Sequence, residues 1–220
     1  MRKWQLSVVL CASLFSESVL GAGFQLYTEG SAEALGQAGA ISGRDDLTSL
    51  AWYNPSALAG ANRPAIMVGA AFASIKTDYA DGANDAAMSE DWRVIPHFYY
   101  VQPLTEDVTA TLSINAPYGL ITEWPADWAG APLAIYSDLE AVYLTPSVAW
   151  RPIDSFAASF GVNVVSATAE LTRSAFPAPG EAKVEGDDMT YGYTFSARYQ
   201  PVENWAVGGR YQSRVELKIT

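Results

Sequence analysis

The chain has 220 residues, with 13 lysines and arginines against 24 aspartates and glutamates, a net charge of −11 and a single histidine. That balance argues against nucleic-acid binding, which calls for clustered positive charge, and a single cysteine excludes an internal disulfide framework. Half of the residues are hydrophobic, including twelve tyrosines and seven tryptophans, yet nothing after the first twenty residues reads as a membrane helix; short alternating segments with aromatic girdles suit that composition.

At the start, Arg2 and Lys3 precede an apolar run from Leu6 to Phe15, and Val19 and Gly21 stand three and one residues before a cleavage point ahead of Ala22. A run of about 10 apolar residues is half of the ~20 needed to span a bilayer, so residues 1–21 are expected to be a secretory signal peptide. Leu10 is too large for the position before a lipid-modified cysteine, and Cys11 would leave with the leader. The remaining chain would hold 11 basic and 23 acidic residues, a net charge of −12 once Arg2, Lys3 and Glu17 are removed.

The next stretch, Ala22 to Gly60, does not alternate. Its small residues Gly30, Ser31, Ala34, Gly36, Ala38, Gly39 and Ala40 permit close backbone packing. Asn54-Pro55 closes it in a fixed turn, because proline presets φ and asparagine bonds to nearby backbone. Residues 22–62 are therefore expected to form an N-terminal hatch, or plug, containing short helices. A wall should follow over residues 63–220.

From Pro64 onward the sequence predicts seven strands. In Val108 to Ala116 the even positions Val108, Ala110, Leu112, Ile114 and Ala116 are apolar, and the odd positions Thr109, Thr111, Ser113 and Asn115 are polar. Met189 to Gln200 sets Met189, Tyr191, Tyr193, Phe195 and Tyr199 against Thr190, Thr194, Ser196, Arg198 and Gln200. Trp205 to Ile219 sets Trp205, Val207, Tyr211, Val215, Leu217 and Ile219 against Arg210, Gln212, Arg214, Glu216 and Lys218. Leu139 to Arg151 and Phe156 to Thr172 alternate less cleanly. Pro64 to Thr77 and Val94 to Leu104 are apolar on both faces, as suits a wall with lipid outside and a plug or greasy ligand inside.

The connections fall into two classes. Short turns at Thr105-Glu106-Asp107, Pro152-Ile153-Asp154 and Pro201 to Asn204 fit a periplasmic rim. Longer segments, Asp78 to Asp91, Leu120 to Asp138 and Arg173 to Asp188, fit an extracellular rim. Strands of this length suit the ~9 to 11 residues of a tilted membrane strand better than the ~5 to 6 of a soluble sandwich. Seven is odd, whereas bacterial single-chain barrels have even strand numbers from about 8 upward. The expected fold is therefore an all-β transmembrane antiparallel barrel, covered in part, belonging to a longer protein.

Gly23-Phe24-Gln25-Leu26 after the leader, Ala51-Trp52-Tyr53-Asn54-Pro55, and Tyr118-Gly119-Leu120 with Thr122-Glu123-Trp124 give this chain a specific likeness. It resembles the FadL family of long-chain fatty acid transporters of the Gram-negative outer membrane and their aromatic-hydrocarbon relatives. The family's Asn-Pro is usually followed by alanine, where this chain has Ser56 and then Ala57.

The resemblance implies an outer-membrane monomer without cofactor, in contact with lipid and lipopolysaccharide, that takes up fatty acids or other hydrophobic molecules. Capture in an extracellular groove, binding in the lumen, rearrangement of the hatch and lateral exit through a kinked strand are the implied steps. It places Phe24 and Leu26 beside the ligand, Asn54, Pro55 and Ser56 at the hatch, and a kink at Asn115, Pro117 and Gly119, where proline removes a ladder donor and glycine permits the bend. Arg173 matches a basic residue that meets the ligand carboxylate. Trp124 and Trp128 lie in a loop, Leu120 to Tyr136, apolar enough to form either a capture groove or an aromatic girdle.

Other residues admit plainer readings. Arg198, Arg210 and Arg214 are expected to hold the plug through Asp45, Asp46 or Glu33 rather than to bind ligand, because buried charges find internal partners. His97, in line with Arg93, Ile95, Tyr99 and Val101, is expected to face the lumen and to bond to the plug. The acidic residues Asp81, Asp85, Glu181, Glu185, Asp187 and Asp188 lack the spacing of a calcium loop and read as solvated loops. No catalytic or metal-binding pattern is present. A plugless porin and a barrel hydrolase, for which His97 is the one base in view, are the other function classes.

Overall fold

The computed structural model describes residues 25–89, 91–175 and 179–218. The expected leader, Phe24 and Ile219 lie outside these residues. Among the described residues, seven antiparallel strands form one sheet: β1 (Ala65–Ile75), β4 (Asp91–Pro103), β5 (Val108–Glu123), β6 (Tyr136–Ile153), β7 (Phe156–Ser174), β8 (Glu181–Val202) and β9 (Trp205–Gln212). They pair in chain order as half of a barrel. Two three-residue strands, β2 (Asp78–Ala80) and β3 (Asp85–Ala87), form a separate hairpin between β1 and β4.

The sheet is inside out compared with a soluble protein. On β5 the polar side chains of Thr109, Thr111, Ser113 and Asn115 are buried. On β8, Thr194 and Ser196 are buried, while Met189, Tyr191, Tyr193, Phe195 and Tyr199 are each about half exposed or more. The same polarity holds on β6, with Leu144, Val148 and Trp150 outward and Tyr143, Thr145 and Ser147 inward. Contiguous apolar surface of this extent marks a membrane contact, and an apolar exterior around a polar lumen is the arrangement of an outer-membrane barrel. No described helix is long and apolar enough to cross a membrane, which does not bear on strands.

The two faces of β1 differ in exposure, although the sequence shows no polar alternation there. Ile66, Val68 and Phe72 point outward, whereas the opposite face holds Ala65, Met67, Gly69, Ala71 and Ala73. Gly69 is required there, because a Cβ would run into the His97 ring on the neighbouring strand.

The apolar core lies between the inward face and the segment before β1. That segment contains short helices at Ala32–Gly36 and Leu50–Tyr53 and 3-10 turns at Thr28–Gly30 and Pro55–Leu58. Ser31 caps the first helix, its hydroxyl accepting the Ala34 N–H at 3.0 Å. Ile41, Leu50, Ala51, Trp52 and Tyr53 pack against Tyr99, Val101, Tyr143 and Val165 of the wall. Asn54-Pro55 does not end the segment: proline starts the 3-10 turn, and the chain reverses at Gly60, whose φ of +82° suits glycine.

Three expected boundaries differ. β7 and β8 continue as a hairpin to the Ser174–Glu181 pair, so Arg173 to Asp188 is mostly strand; strands of 19 and 22 residues exceed the ~9 to 11 that cross a bilayer, so the ladder continues into water, where polar residues on both faces hide it. The loop placed at Leu120 to Asp138 narrows to residues 124–135. β9 ends at Gln212 rather than Ile219, since Ser213 bonds to Tyr193 through both backbone and hydroxyl and Val215 turns toward the core.

Candidate functional site

Asn54, Pro55 and Ser56 are buried where the N-terminal segment meets β7 and β8. The Ser56 N–H donates to the Ser196 hydroxyl at 3.0 Å, and Ser196 lies 2.6 Å from the Ser159 hydroxyl. The Ser56 hydroxyl donates to Asn54 Oδ1 at 2.6 Å, and Asn54 Nδ2 donates to the Ser42 carbonyl at 2.6 Å. The asparagine therefore ties two parts of the segment together rather than bonding to its own backbone. Gly208 on β9 admits this approach, because a Cβ there would collide with the Ser42 carbonyl and Asn54 Nδ2.

The arginines divide. Arg198 bonds to the Gly43 carbonyl at 3.2 Å and to Asp45 at 2.8 Å, the expected tie to the segment. Arg210 holds the same segment without a carboxylate: its guanidinium donates to the Trp52 carbonyl and lies 4.1 Å from the centre of the Trp52 ring, a cation–π contact. Arg214 departs from expectation, being largely exposed and 3.9 Å from Glu216 on its own stretch, because the chain has left the sheet before it. Asp46 is taken by Arg44 of its own turn. His97 is buried and stacked on Tyr99, but its Nδ1 has no hydrogen-bond partner. The bond to the segment is made by Tyr99 instead, whose hydroxyl donates to the Gly30 carbonyl and accepts from Asn115 Nδ2, both at 2.5 Å.

The wall is breached at the residues picked out as a kink. β4 and β5 pair from Pro103–Thr109 to His97–Asn115 and no further, although β4 continues to Asp91 on its β1 side. On the other side of β5, the register with β6 shifts between Asn115 and Tyr118. Just above the last pair, Pro96 on β4 and Pro117 on β5 have no N–H to extend the ladder. Pro96 was legible as a strand proline, but only the register shows that it flanks the same opening. The segment's first described residues fill the foot of this breach: Gln25 bridges Tyr118, and the Leu26 N–H donates to the Pro117 carbonyl at 2.7 Å.

Above Leu26 lies a cavity of about 320 Å³, bounded by Leu26, Ile75, Val94, Ala116, Gly119 and Ile121 among others. A Cβ on Gly119 would stand 3.4 Å from Leu26 Cδ1. Arg93 and Asp138, 3.7 Å apart, form an ion pair from β4 to β6 across the same opening. A second, larger cavity of about 830 Å³ opens on the lumen side, bounded by Tyr27, Ser42, Tyr118, Tyr143 and Arg210.

At the upper rim, Trp124 and Trp128 stack at 4.4 Å, and Tyr79 of β2 meets Trp128 edge-on at 5.4 Å. Trp128 Nε1 donates to the Ala134 carbonyl at 2.8 Å. The loop docks on the top of β7 through Ile135 N–H to the Thr172 carbonyl and Ser174 N–H to the Ala131 carbonyl. Arg173 lies between those two bonds, exposed, and lines neither cavity. The adjoining hairpin is held by Asp81, whose carboxylate accepts the Ala83 and Asn84 N–H groups and is pulled down to about 2 by them. Lys183 sits between Glu170 and Glu185, so part of the acidic rim is neutralised internally. No three His, Cys, Asp or Glu side chains come together as a metal site among the described residues.

A family model described as outer membrane protein transport protein (OMPP1/FadL/TodX) matches residues 12–220. The long-chain fatty acid transport protein of Escherichia coli K12 is 29% identical over 180 residues, 77% of this chain and 39% of that protein. Outer membrane protein P1 of Haemophilus influenzae is 28% identical over 81 residues, 37% of this chain and 18% of that protein. The chain thus spans about two-fifths of the length of the fatty acid transport proteins it matches. Among crystal structures, a Pseudomonas aeruginosa FadL homologue superposes with a TM-score of 0.71 at 20% identity, over 86% of this chain and 51% of the other. The P. putida toluene transporter TodX gives 0.67 at 14%, over 91% and 57%.

Proposed function

The chain belongs to the outer-membrane transport protein family that includes FadL and TodX, and on that premise we propose that it serves the uptake of hydrophobic molecules, foremost long-chain fatty acids, by a lateral route. The observation that carries this reading is the breach between β4 and β5 above Asn115, with Leu26 at its foot and a cavity beside Gly119. Unpaired strand edges are costly in hydrocarbon. An opening kept in the wall at that cost makes sense as a path for a solute that partitions into lipid.

In this reading the stacked Trp124 and Trp128 capture the apolar tail at the rim, and Arg173 beside them meets the headgroup carboxylate. The segment before β1 is the hatch, seated through Asn54-Pro55-Ser56 and by Arg198 and Arg210. Phe24 and Leu26 lead the ligand to the kink at Asn115, Pro117 and Gly119. Fatty acid is favoured over aromatic hydrocarbon because the relatives at 28–29% identity are fatty acid transport proteins or outer membrane protein P1, whereas the toluene transporters share the fold at 14%.

The test is uptake of labelled oleate and toluene by cells that make the complete protein, with a Gly119→Glu variant alongside. Oleate uptake lost in Gly119→Glu, with the variant correctly inserted, is the expected result. Uptake at the parent's rate removes the lateral route, and toluene uptake without oleate uptake exchanges the substrate class.

A further inference from the structure

The two cavities meet at one side chain. Tyr118 borders both the lumen cavity, with Tyr27, Tyr143 and Arg210, and the cavity in the wall, with Leu26, Ala116 and Gly119. Its backbone is held on one side by β6, through Ala141, and on the other only by the Gln25 bridge and the neighbouring Leu26–Pro117 bond, because β4 has already left the ladder. Its ring lies 6.1 Å from that of Tyr143, tilted by 39°, in contact with the lumen wall. Tyr118 thus stands where the register shift, the end of the β4–β5 ladder and the contact with Gln25 coincide.

We propose that the Tyr118 ring is the partition between the lumen and the breach, and that it sets the size of solute that passes from one to the other. This rests on the lateral transport reading and assigns its barrier to a residue. With Gln25 and Leu26 seated on Pro117 and Tyr118, the ring closes the passage from the lumen side. Once those two residues lift away, Tyr118 keeps a neighbour only on β6, and turning its ring joins the two cavities into one path past Gly119. Pairing through so few hydrogen bonds makes this a point of the wall that opens readily, since the lower part of β5, from Thr109 to Asn115, carries ladders on both sides.

Ala116→Cys places a thiol in the wall cavity, behind Tyr118, in a chain whose own cysteine, Cys11, falls in the expected leader. In liposomes holding the complete protein, a water-soluble maleimide should label this thiol at least about tenfold faster when Tyr118→Ala is added, since thiol reactivity follows access. Tyr118→Phe, which keeps the ring, should leave the rate unchanged. Equal rates with and without Tyr118→Ala overturn the partition, and Tyr118→Leu repeats the comparison if the alanine variant fails to insert. In cells, Tyr118→Ala should raise uptake of a pyrene-bearing fatty acid relative to palmitate by about fivefold or more, within the range that pocket size alone can discriminate. An unchanged ratio overturns the size-limiting role. Labelling rates that differ while neither acid is taken up through the protein would leave the partition standing and remove the transport reading beneath it.

Discussion

Ser196 joins the N-terminal segment to the wall through one hydroxyl, accepting the buried Ser56 N–H while it lies against Ser159. Ser196→Ala strands that N–H, and an unsatisfied buried donor costs about 1–3 kcal/mol; the expected outcome is an N-terminal segment cut by protease at lower enzyme concentration while heat-modifiable gel mobility, which reports the barrel, stays normal. Gly208→Ala should act more strongly on the same readouts, because its Cβ meets the Ser42 carbonyl, a backbone atom that cannot rotate away, and overpacking costs about 1–3 kcal/mol. Arg173 is a weaker lever. Exposed ion pairs contribute about 0.2–1 kcal/mol, so Arg173→Ala should lower the ratio of oleate to oleyl alcohol affinity by only about 1.4- to fivefold. An unchanged ratio in equilibrium binding removes the carboxylate role.

At the scale of elements, the kink in β5 combines an end of pairing on the β4 side with a register shift on the β6 side. A single Pro117→Ala change restores one N–H but leaves the shifted register, so oleate uptake is expected to stay within about twofold of the parent, unlike the complete block by a long side chain at Gly119. The β2–β3 hairpin supports the tryptophan pair through Tyr79 and is itself held by Asp81. A carboxylate whose folded pKa is depressed gives support that is full above its unfolded pKa of about 4 and is lost as pH falls through the folded value. Tryptophan emission from the rim should accordingly hold steady from about pH 7 to 4 and shift only toward pH 2, the folded value of Asp81; in Asp81→Asn that acid shift should disappear.

For the molecule as a whole, wall and segment draw on different forces. The wall is a hydrogen-bonded ladder with apolar side chains turned to lipid, and neither includes Asn54, Pro55 or Ser56. Deleting those three residues should therefore leave a barrel with normal heat-modifiable mobility and abolish or deregulate oleate uptake. Loss of the barrel would make the segment a folding element instead of a gate. Normal uptake with small polar dyes still excluded would remove the hatch reading.

The sequence by itself determined the wall: strict alternation from Val108 to Ala116 and from Met189 to Gln200 fixes which residues share a face, because side chains on a strand repeat every two residues. The turn at Asn54-Pro55 was also readable from proline's fixed φ, whereas Ser56 and the kink at Asn115, Pro117 and Gly119 were picked out through the family resemblance. What tertiary structure alone decided depends on partners far apart in the chain. Arg198 found Asp45, Arg210 found a carbonyl and an indole ring, His97 lost its expected bond to Tyr99, and Arg214 left the sheet. The opening itself is of this kind, for it needs Pro96, Pro117 and Leu26 to meet, and no local pattern records which side of a strand has lost its neighbour.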